Sequence, residues 1–208
     1  CKMKNIKSII FDLGGVLLNI SYQNTIDEFE KLGVDNSSNF YSKKSQTNIF
    51  NLLETGEISK NEFVKAINKS WKSVTTEQIL YAWNSILLDL PKNRTNLLEN
   101  LKEKYQLFLL SNTNSIHIKE FKSRLGEEKY LEFYNLFDKV YYSHKIGVRK
   151  PHSEAFRLIL DENNLKEKEV LFIDDSPQHI EGAKELGIQT YHLKDDEEIT
   201  TVFPDIVQ

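Results

Sequence analysis

Four short stretches of the sequence carry side chains that could do chemistry together. Three of them come directly after apolar runs that indicate buried strands, and the fourth is a lysine before a proline. The candidates are Asp12, Ser111, Asn112, Lys150, Asp174 and Asp175. They combine carboxylates, a hydroxyl, an amide and an amine, a set that can bind a hard cation and neutralise an anion.

Together these residue types fit phosphoryl transfer. Asp12 would attack phosphorus and carry it as an aspartyl phosphate. Asp12 and Asp175 would hold Mg²⁺, which prefers oxygen ligands, with the backbone carbonyl of Gly14 as a further ligand. The Ser111 hydroxyl and a nearby main-chain N–H would bind phosphate oxygens. Lys150 would neutralise negative charge on the phosphate and on Asp12.

Two candidates have less direct roles in this interpretation. Asn112 is placed beside Ser111 at the phosphate. Asp174 could ligate the metal itself, although we favour a role in which it acts through water or orients Asp175.

Each stretch also has a plain structural explanation. An aspartate before glycine often forms a turn, serine and asparagine cap helices, and a lysine before proline can be fully solvated. Two adjacent acids at a buried strand end are costly, however, unless a cation or hydrogen bonds compensate them. Recurrence of polar residues at three strand ends therefore favours a functional site.

The elements that must position these residues alternate between strand and helix. Apolar runs predict strands at residues 8–11, 107–110, 140–142, 170–173 and 190–193. Residues 16–20 are expected to remain extended. Apolar residues at helical spacing separate the later runs. This alternation predicts an α/β fold, a three-layer sandwich around a parallel sheet whose ligands bind at the carboxyl ends of the strands.

The stretch from residue 20 to residue 90 has a different pattern, that of amphipathic helices. Ser59 and Glu62 have capping-box spacing at the start of one of them. We therefore predict a core domain of residues 1–19 and 91–208 and a helical cap domain of residues 20–90. A polar residue within 48–57 is expected to face the substrate, although the sequence does not identify it.

Composition excludes several other classes of protein. The 208 residues include 27 basic and 31 acidic side chains, so the formal net charge of −4 does not indicate a nucleic-acid surface. No apolar stretch approaches a membrane span, and the only cysteine is Cys1. We expect a cytoplasmic monomer or homodimer whose partner is a small phosphorylated metabolite, and neither nucleic acid nor membrane.

Four motifs occur in an order that resembles the haloacid dehalogenase superfamily. They are FDLGGVLL (11–18), LLSNTN (109–114), GVRKPHSEAF (147–156) and FIDDSPQHIEGAKELGI (172–188). The resemblance implies a Rossmann-like core with an inserted helical C1 cap, and usually Mg²⁺-dependent phosphatase activity. The third and fourth motifs resemble those of sugar-phosphate phosphatases and of the N-terminal phosphatase domain of soluble epoxide hydrolase. A sugar phosphate such as a hexose 1-phosphate is therefore the expected substrate.

One position departs from the family pattern. Phosphatases of this superfamily usually carry a second aspartate two residues after the nucleophile, which protonates the leaving group, and here that position is Gly14. Losing such acid–base help typically costs ~10²–10⁴-fold in rate, least for leaving groups that need little protonation. Two alternatives stay open: a 2-haloacid dehalogenase, in which Asp12 attacks carbon, and a non-catalytic binding protein with the same fold.

Overall fold

The centre of the fold is a parallel sheet of five strands in the order β3-β2-β1-β4-β5. The structure is a computed structural model that describes residues 2–34, 41 and 48–208. Its strands are β1 (Ser8–Phe11), β2 (Gln106–Ser111), β3 (Lys139–Tyr142), β4 (Val170–Asp174) and β5 (Gln189–His192). The predicted parallel α/β sheet is confirmed.

Helices fill the connections between the strands. Among the described residues they are α1 (Tyr22–Lys31), α2 (Asn48–Glu54), α3 (Lys60–Ser70), α4 (Thr76–Asn84), α5 (Lys92–Leu101), α6 (Ser115–Leu125), α7 (Glu127–Tyr134), α8 (Ser143–Ile146), α9 (Ser153–Glu162), α10 (Pro177–Lys184) and α11 (Ile199–Ile206). A single 3₁₀ turn, Glu167–Glu169, precedes β4. None of the described helices is both long enough and apolar enough to cross a membrane.

Side chains of the strands alternate between two apolar layers, as the two-residue period of a strand requires. Ile9 and Phe11 pack in one layer with apolar residues of α5, α6, α7 and α11. Ile10 packs in the other layer with residues of α9 and α10. The strands are therefore covered on both faces, which confirms the predicted three-layer arrangement and explains their continuous apolar runs.

Helices α1 to α4 form the helical insert between β1 and α5. The capping box predicted at the start of α3 is present, because Ser59 accepts from the Glu62 N–H and the Glu62 carboxylate accepts from the Ser59 N–H. Phe50, Phe63 and Trp83 pack at the centre of the insert, in the same apolar cluster as one face of the sheet. The domain boundaries at residues 19 and 91 remain a prediction.

The chain enters and leaves the insert side by side. Asn19 donates its N–H to the carbonyl of Asp89 and accepts from the N–H of Leu88, both at 2.9 Å. The Ser21 N–H donates to the carbonyl of Ile86 at 2.9 Å. These bonds pair residues 19–21 with residues 86–89. We call this two-stranded connection between the insert and the core the neck.

The expectation of an extended segment at residues 16–20 is wrong for residues 16 and 17, which lie in a turn, whereas Leu18 and Ile20 form β-bridges. The N–H groups of Leu17 and Leu18 both donate to the carbonyl of Leu13 at 2.9 Å, so the chain turns back on itself. Gly15 permits the turn because its φ of +84° is unfavourable for other residues. Val16 and Leu17 are buried inside this turn, so their apolar character reflects burial and not extension.

Candidate active site

The carboxyl ends of three adjacent strands bring the predicted site residues together. The register of β1 pairs Phe11 with Leu109 on β2 and with Ile173 on β4. Asp12, one residue after β1, is therefore level with Leu110 on one side and Asp174 on the other. The central strand thus presents its aspartate between two neighbours, as expected for a ligand site in an open α/β sheet.

Lys150 ties these three strands together. Its Nζ donates to Asp12 Oδ1, to Asp174 Oδ2 and to the backbone carbonyl of Leu110, each at 2.8 Å. The side chain is completely buried. Since an ammonium group has three donors, all of them are used. The alternative of a solvated lysine before a proline does not hold.

Asn112 fixes the backbone at Lys150. Its Oδ1 accepts from the Lys150 N–H and its Nδ2 donates to the Lys150 carbonyl, both at 2.9 Å. This two-bond clamp holds the lysine over the sheet. Because the side chain of Asn112 is committed to it, the group of Asn112 that would be left for an anion is its main-chain N–H. Ser111 lies beside it, almost fully buried at the end of β2.

Three carboxylates converge next to the lysine. Oxygens of Asp12, Asp174 and Asp175 lie within 4.8 Å of one another. Both oxygens of Asp174 accept hydrogen bonds from the protein: Oδ1 from the Ser176 N–H at 2.8 Å, and Oδ2 from Lys150 and His179. This geometry favours a positioning role for Asp174 over direct ligation.

Gly15 lets the loop after β1 approach the carboxylate of Asp175. A Cβ atom at this position would lie 2.2 Å from Asp175 Oδ2, closer than any real contact, and the positive φ also favours glycine. The second glycine of the loop therefore has a structural explanation. It allows the Asp12 loop and the Asp175 loop to close on the same point.

The ionisable groups of the cluster shift one another's pKa values. Burial, followed by the charge of Asp174, raises the pKa of Asp12 well above its ordinary value, and Lys150 opposes this. Burial alone would also raise the pKa of Asp174, but Lys150 and His179 outweigh it and keep that pKa low. Burial would lower the pKa of Lys150, but the two aspartates outweigh it and raise it. Three carboxylates whose oxygens lie within 4.8 Å of one another fit a divalent cation, because such a cation prefers oxygen ligands.

A small cavity of about 130 Å³ opens above Asp12 and Ser111. Part of its wall is apolar and comes from Leu18, Ile20 and Ile86. The polar part of the wall comes from Tyr22, Tyr41, Glu54, Asn114, His117, Arg149, Gln178 and His179. The cavity therefore joins the sheet to the helical insert.

Ile20 occupies the space above Gly14. A Cβ atom on Gly14 would lie 3.1 Å from Ile20 Cδ1 and 3.4 Å from Ile20 Cγ2. A side chain at position 14 is therefore opposed by the packing of one isoleucine. The carbonyl and carboxylate groups that could ligate a cation are unaffected by this crowding.

Sequence reasoning missed several residues of the cavity wall. Glu54 lies within the stretch 48–57, where a polar residue was expected, and Arg149 stands inside the third motif without an assigned role. The Arg149 Nε donates to Glu54 Oε2 at 2.7 Å. Tyr22 begins α1, and burial together with the charge of Asp175 raises the pKa of its hydroxyl. The position of Arg149 next to Lys150 in the third motif was the signal that could have identified it as a site residue.

The fold and site define a class of α/β hydrolase in which an aspartate after the central strand is paired with a buried lysine beneath a helical insert. A family model described as haloacid dehalogenase-like hydrolase matches residues 9–193. The chain belongs to that family.

The chain is also similar to proteins of known name. The chain is 33% identical over 192 residues to a D-ribitol-5-phosphate phosphatase of Bacteroides thetaiotaomicron, covering 89% of this chain and 91% of the relative. It is 36% identical, with a TM-score of 0.85, to a haloacid dehalogenase family enzyme of the same organism, crystallised as an Asp-to-Ala mutant with magnesium and inorganic phosphate. That match covers 95% of this chain and 98% of the other.

A third relative supports the same fold. It is a predicted haloacid dehalogenase-like hydrolase of Porphyromonas gingivalis, 29% identical with a TM-score of 0.83. The match covers 96% of this chain and 97% of that one. The insert as well as the sheet is therefore included in the likeness.

Proposed function

We propose that this protein is a Mg²⁺-dependent phosphatase that hydrolyses a small sugar or polyol phosphate through an aspartyl phosphate on Asp12. One observation carries the proposal: the Asp12 carboxylate is held by the buried Lys150 at 2.8 Å inside a cluster of three acids. The names of the relatives support it, because one is a ribitol-phosphate phosphatase and another was crystallised with magnesium and phosphate.

Asp12 and Asp175, with the carbonyl of Gly14, would hold the cation. When bound, Mg²⁺ supplies positive charge that offsets the acidic cluster and the phosphate oxygens. The residues present fit it, since the donors are all oxygens and the three carboxylates converge on one point. Asp174 would fix Lys150 without ligating the cation.

Asp12 would attack phosphorus, forming the aspartyl O–P bond as the bond from phosphorus to the leaving oxygen breaks. Lys150 would orient the attacking carboxylate and reduce its repulsion from the phosphate. The Ser111 hydroxyl and the Asn112 N–H would bind phosphate oxygens. Water would then cleave the aspartyl phosphate, releasing inorganic phosphate and restoring Asp12.

The substrate class follows from the relatives and from Gly14. A ribitol-phosphate relative supports a polyol or sugar phosphate. The absence of a carboxyl at position 14 favours leaving groups that need little protonation, which supports a hexose 1-phosphate. The named relative instead supports a pentitol 5-phosphate, so both substrates are predicted.

Hydrolysis of a panel of phosphate esters tests the proposal. The panel includes ribitol 5-phosphate, glucose 1-phosphate, glucose 6-phosphate and p-nitrophenyl phosphate, each with Mg²⁺ and with EDTA. We expect EDTA and Asp12→Asn each to remove activity, whereas Asp161→Asn, at an exposed helical position, retains it. Equal rates for the wild type and Asp12→Asn would refute the proposal.

A further inference from the structure

We infer that Glu54 and Arg149 together recognise hydroxyl groups of the leaving group, so that the preferred substrate is the phosphate ester of an uncharged, polyhydroxylated molecule. This inference rests on the proposed phosphatase function. It adds two specificity-determining residues, one from the helical insert and one from the loop between α8 and α9 of the core.

The first observation is how the pair is bonded. The 2.7 Å bond from Arg149 Nε to Glu54 Oε2 is the only side-chain hydrogen bond that either residue makes within the part of the chain that the structure describes. The Glu54 side chain is 10% exposed and the Arg149 side chain 21%. Oε1 of Glu54 and the Nη groups of Arg149 thus belong to largely buried side chains and make no other hydrogen bond among the described residues, so they can bond a ligand.

The second observation is where the pair lies. Glu54 and Arg149 line the same cavity as Asp12 and Ser111. Arg149 directly precedes Lys150, whose backbone is clamped by Asn112, so its main chain is fixed relative to the reacting aspartate. A leaving group attached to a phosphate at Asp12 would have to extend into this cavity.

The end of α2 is positioned independently by a close backbone contact. A Cβ atom on Gly56 would lie 2.3 Å from the carbonyl oxygen of His144, so glycine lets the turn after α2 pack directly on α8. This contact places Glu54 from the insert against Arg149 from the core. The pair therefore has a defined position when the insert lies over the sheet.

The chemistry of the pair matches neighbouring hydroxyl groups. A carboxylate oxygen only accepts hydrogen bonds and a guanidinium only donates them, whereas a hydroxyl does both. Two adjacent hydroxyls can therefore donate to Glu54 and accept from Arg149 without separating the ion pair. A leaving group with its own carboxylate would meet the charge of Glu54, and an alkyl leaving group would leave the polar atoms unpaired.

The test compares two phosphate esters of equal chain length, ribitol 5-phosphate and n-pentyl phosphate. We expect the wild type to prefer the polyol ester in kcat/KM by at least tenfold. Glu54→Gln and Arg149→Lys should each reduce that preference by roughly 10- to 100-fold, the size expected for lost hydrogen bonds to charged groups. Glu57→Gln is the matched control, because Glu57 is an exposed glutamate in the same turn that is bonded to Thr55.

A preference ratio separates recognition from a merely structural role. If Glu54→Gln lowers kcat/KM equally for both esters, or if the wild type does not distinguish them, the inference is wrong, while Asp12-dependent hydrolysis still supports the proposed function. If the wild type hydrolyses neither ester faster than Asp12→Asn does, both fail together. Thermal unfolding of each variant confirms that the compared proteins are folded.

Discussion

At the scale of single residues, Lys150 is constrained by hydrogen bonds from all three donors of its ammonium group. Its ammonium is fully buried and lies 2.8 Å from each of two carboxylates, one of them on the predicted nucleophile Asp12 and the other on Asp174. A buried ion pair adds little net stability compared with apolar side chains, but removing one partner leaves an uncompensated charge. We therefore expect both folding and the proposed activity to depend on this side chain.

Replacement of Lys150 by methionine should destabilise the fold by about 3–5 kcal/mol, because Asp12 and Asp174 would remain buried without their cation. Adding Asp174→Asn should recover part of that loss, since one of the two unpaired charges is then removed. Urea unfolding with EDTA present measures both values. Both variants should be inactive, and a Lys150→Met protein as stable as the wild type would contradict the prediction.

Gly14 and Ile20 together determine whether a carboxyl group fits at the position where the family usually has its acid–base residue. Gly14→Asp would supply a carboxyl at the family's usual position, but its Cβ would lie 3.1 Å from Ile20 Cδ1. Ile20→Val removes that atom. We expect the double variant to hydrolyse n-pentyl phosphate faster than Gly14→Asp alone, with a gain over the wild type approaching ~10²-fold if the new carboxyl protonates the leaving group.

The control for that experiment is p-nitrophenyl phosphate, whose leaving group needs little protonation. Its hydrolysis should change much less than that of the alkyl ester. Ile20→Val alone should show no gain on either substrate. Equal gains on the two substrates would mean that the new carboxyl acts otherwise than as a general acid.

At the scale of elements, the contact between α4 of the insert and α6 of the core includes the hydrogen bonds of a buried histidine. His117 Nε2 bonds the carbonyl of Trp83 at 2.9 Å, and its Nδ1 lies 3.0 Å from Asn114 Nδ2. A carbonyl can only accept and an amide nitrogen can only donate, so the imidazole is neutral with its proton on Nε2. Arg124 also donates to the carbonyls of Asn84 and Leu87 at the end of α4.

His117 should make the wild type sensitive to acid. Burial lowers its pKa to about 4, whereas an unfolded histidine has a pKa of about 6.5. Between these values the unfolded chain binds a proton and the folded chain does not, so stability falls as pH decreases from about 6.5 to 4. The loss should reach roughly 3 kcal/mol at the lower end.

His117→Gln cannot titrate and is the comparison for this effect. The difference in unfolding free energy between the wild type and His117→Gln should become less favourable to the wild type by about 2–3 kcal/mol between pH 7 and pH 4.5. Urea unfolding at several pH values measures it. A difference that stays constant over this range would show that another group controls acid stability.

At the scale of the whole molecule, the helical insert contacts the core at two places, and different kinds of contact are made at each. On one side, α4 is held by His117 and Arg124 of α6. On the other, the described contacts of α2 with the core include the Arg149–Glu54 ion pair and the approach of Gly56 to His144. We predict that the α2 contacts form and release as the insert closes and opens, while the α4 contacts and the neck at Asn19 and Asp89 stay in place.

Hydrogen exchange with Mg²⁺ and a phosphate analogue such as BeF₃⁻ should therefore slow chiefly in residues 48–58. Exchange in α4 should change little, because its contacts with α6 are already in place. Glu54→Gln should weaken the slowing at 48–58. Equal slowing across the insert, or none, would argue against an insert that closes over the site from the α2 side.

Much of the site was predictable because it depends on local sequence features. Apolar runs specified the strands, and polar residues directly after those runs had to lie at the carboxyl ends of a parallel sheet. Asp12, Ser111 and Asp175 follow from that rule alone. The turn at residues 15–17 did not, because an apolar segment buried in a turn has the same composition as one buried in a strand.

Partners of the site residues were not predictable in the same way. Glu54 and Arg149 are 95 positions apart, and Lys150 and Asp12 are 138 positions apart. Local periodicity carries no information about contacts at such separations. The family motifs identified Lys150 by its type and place. For the insert, the sequence predicted only that some polar residue within 48–57 faces the substrate, and it did not identify Glu54.

The sequence by itself determined the parallel sheet, the order of its chemical groups and the edge where they meet, because each depends on short-range patterning of apolar and polar residues. Tertiary structure alone decided that Lys150 is fully buried between two aspartates, that Ile20 fills the space above Gly14, and that Glu54 meets Arg149 over the cavity. Those features result from packing between segments that are distant in the chain, where burial and the matching of donors to acceptors select the neighbours.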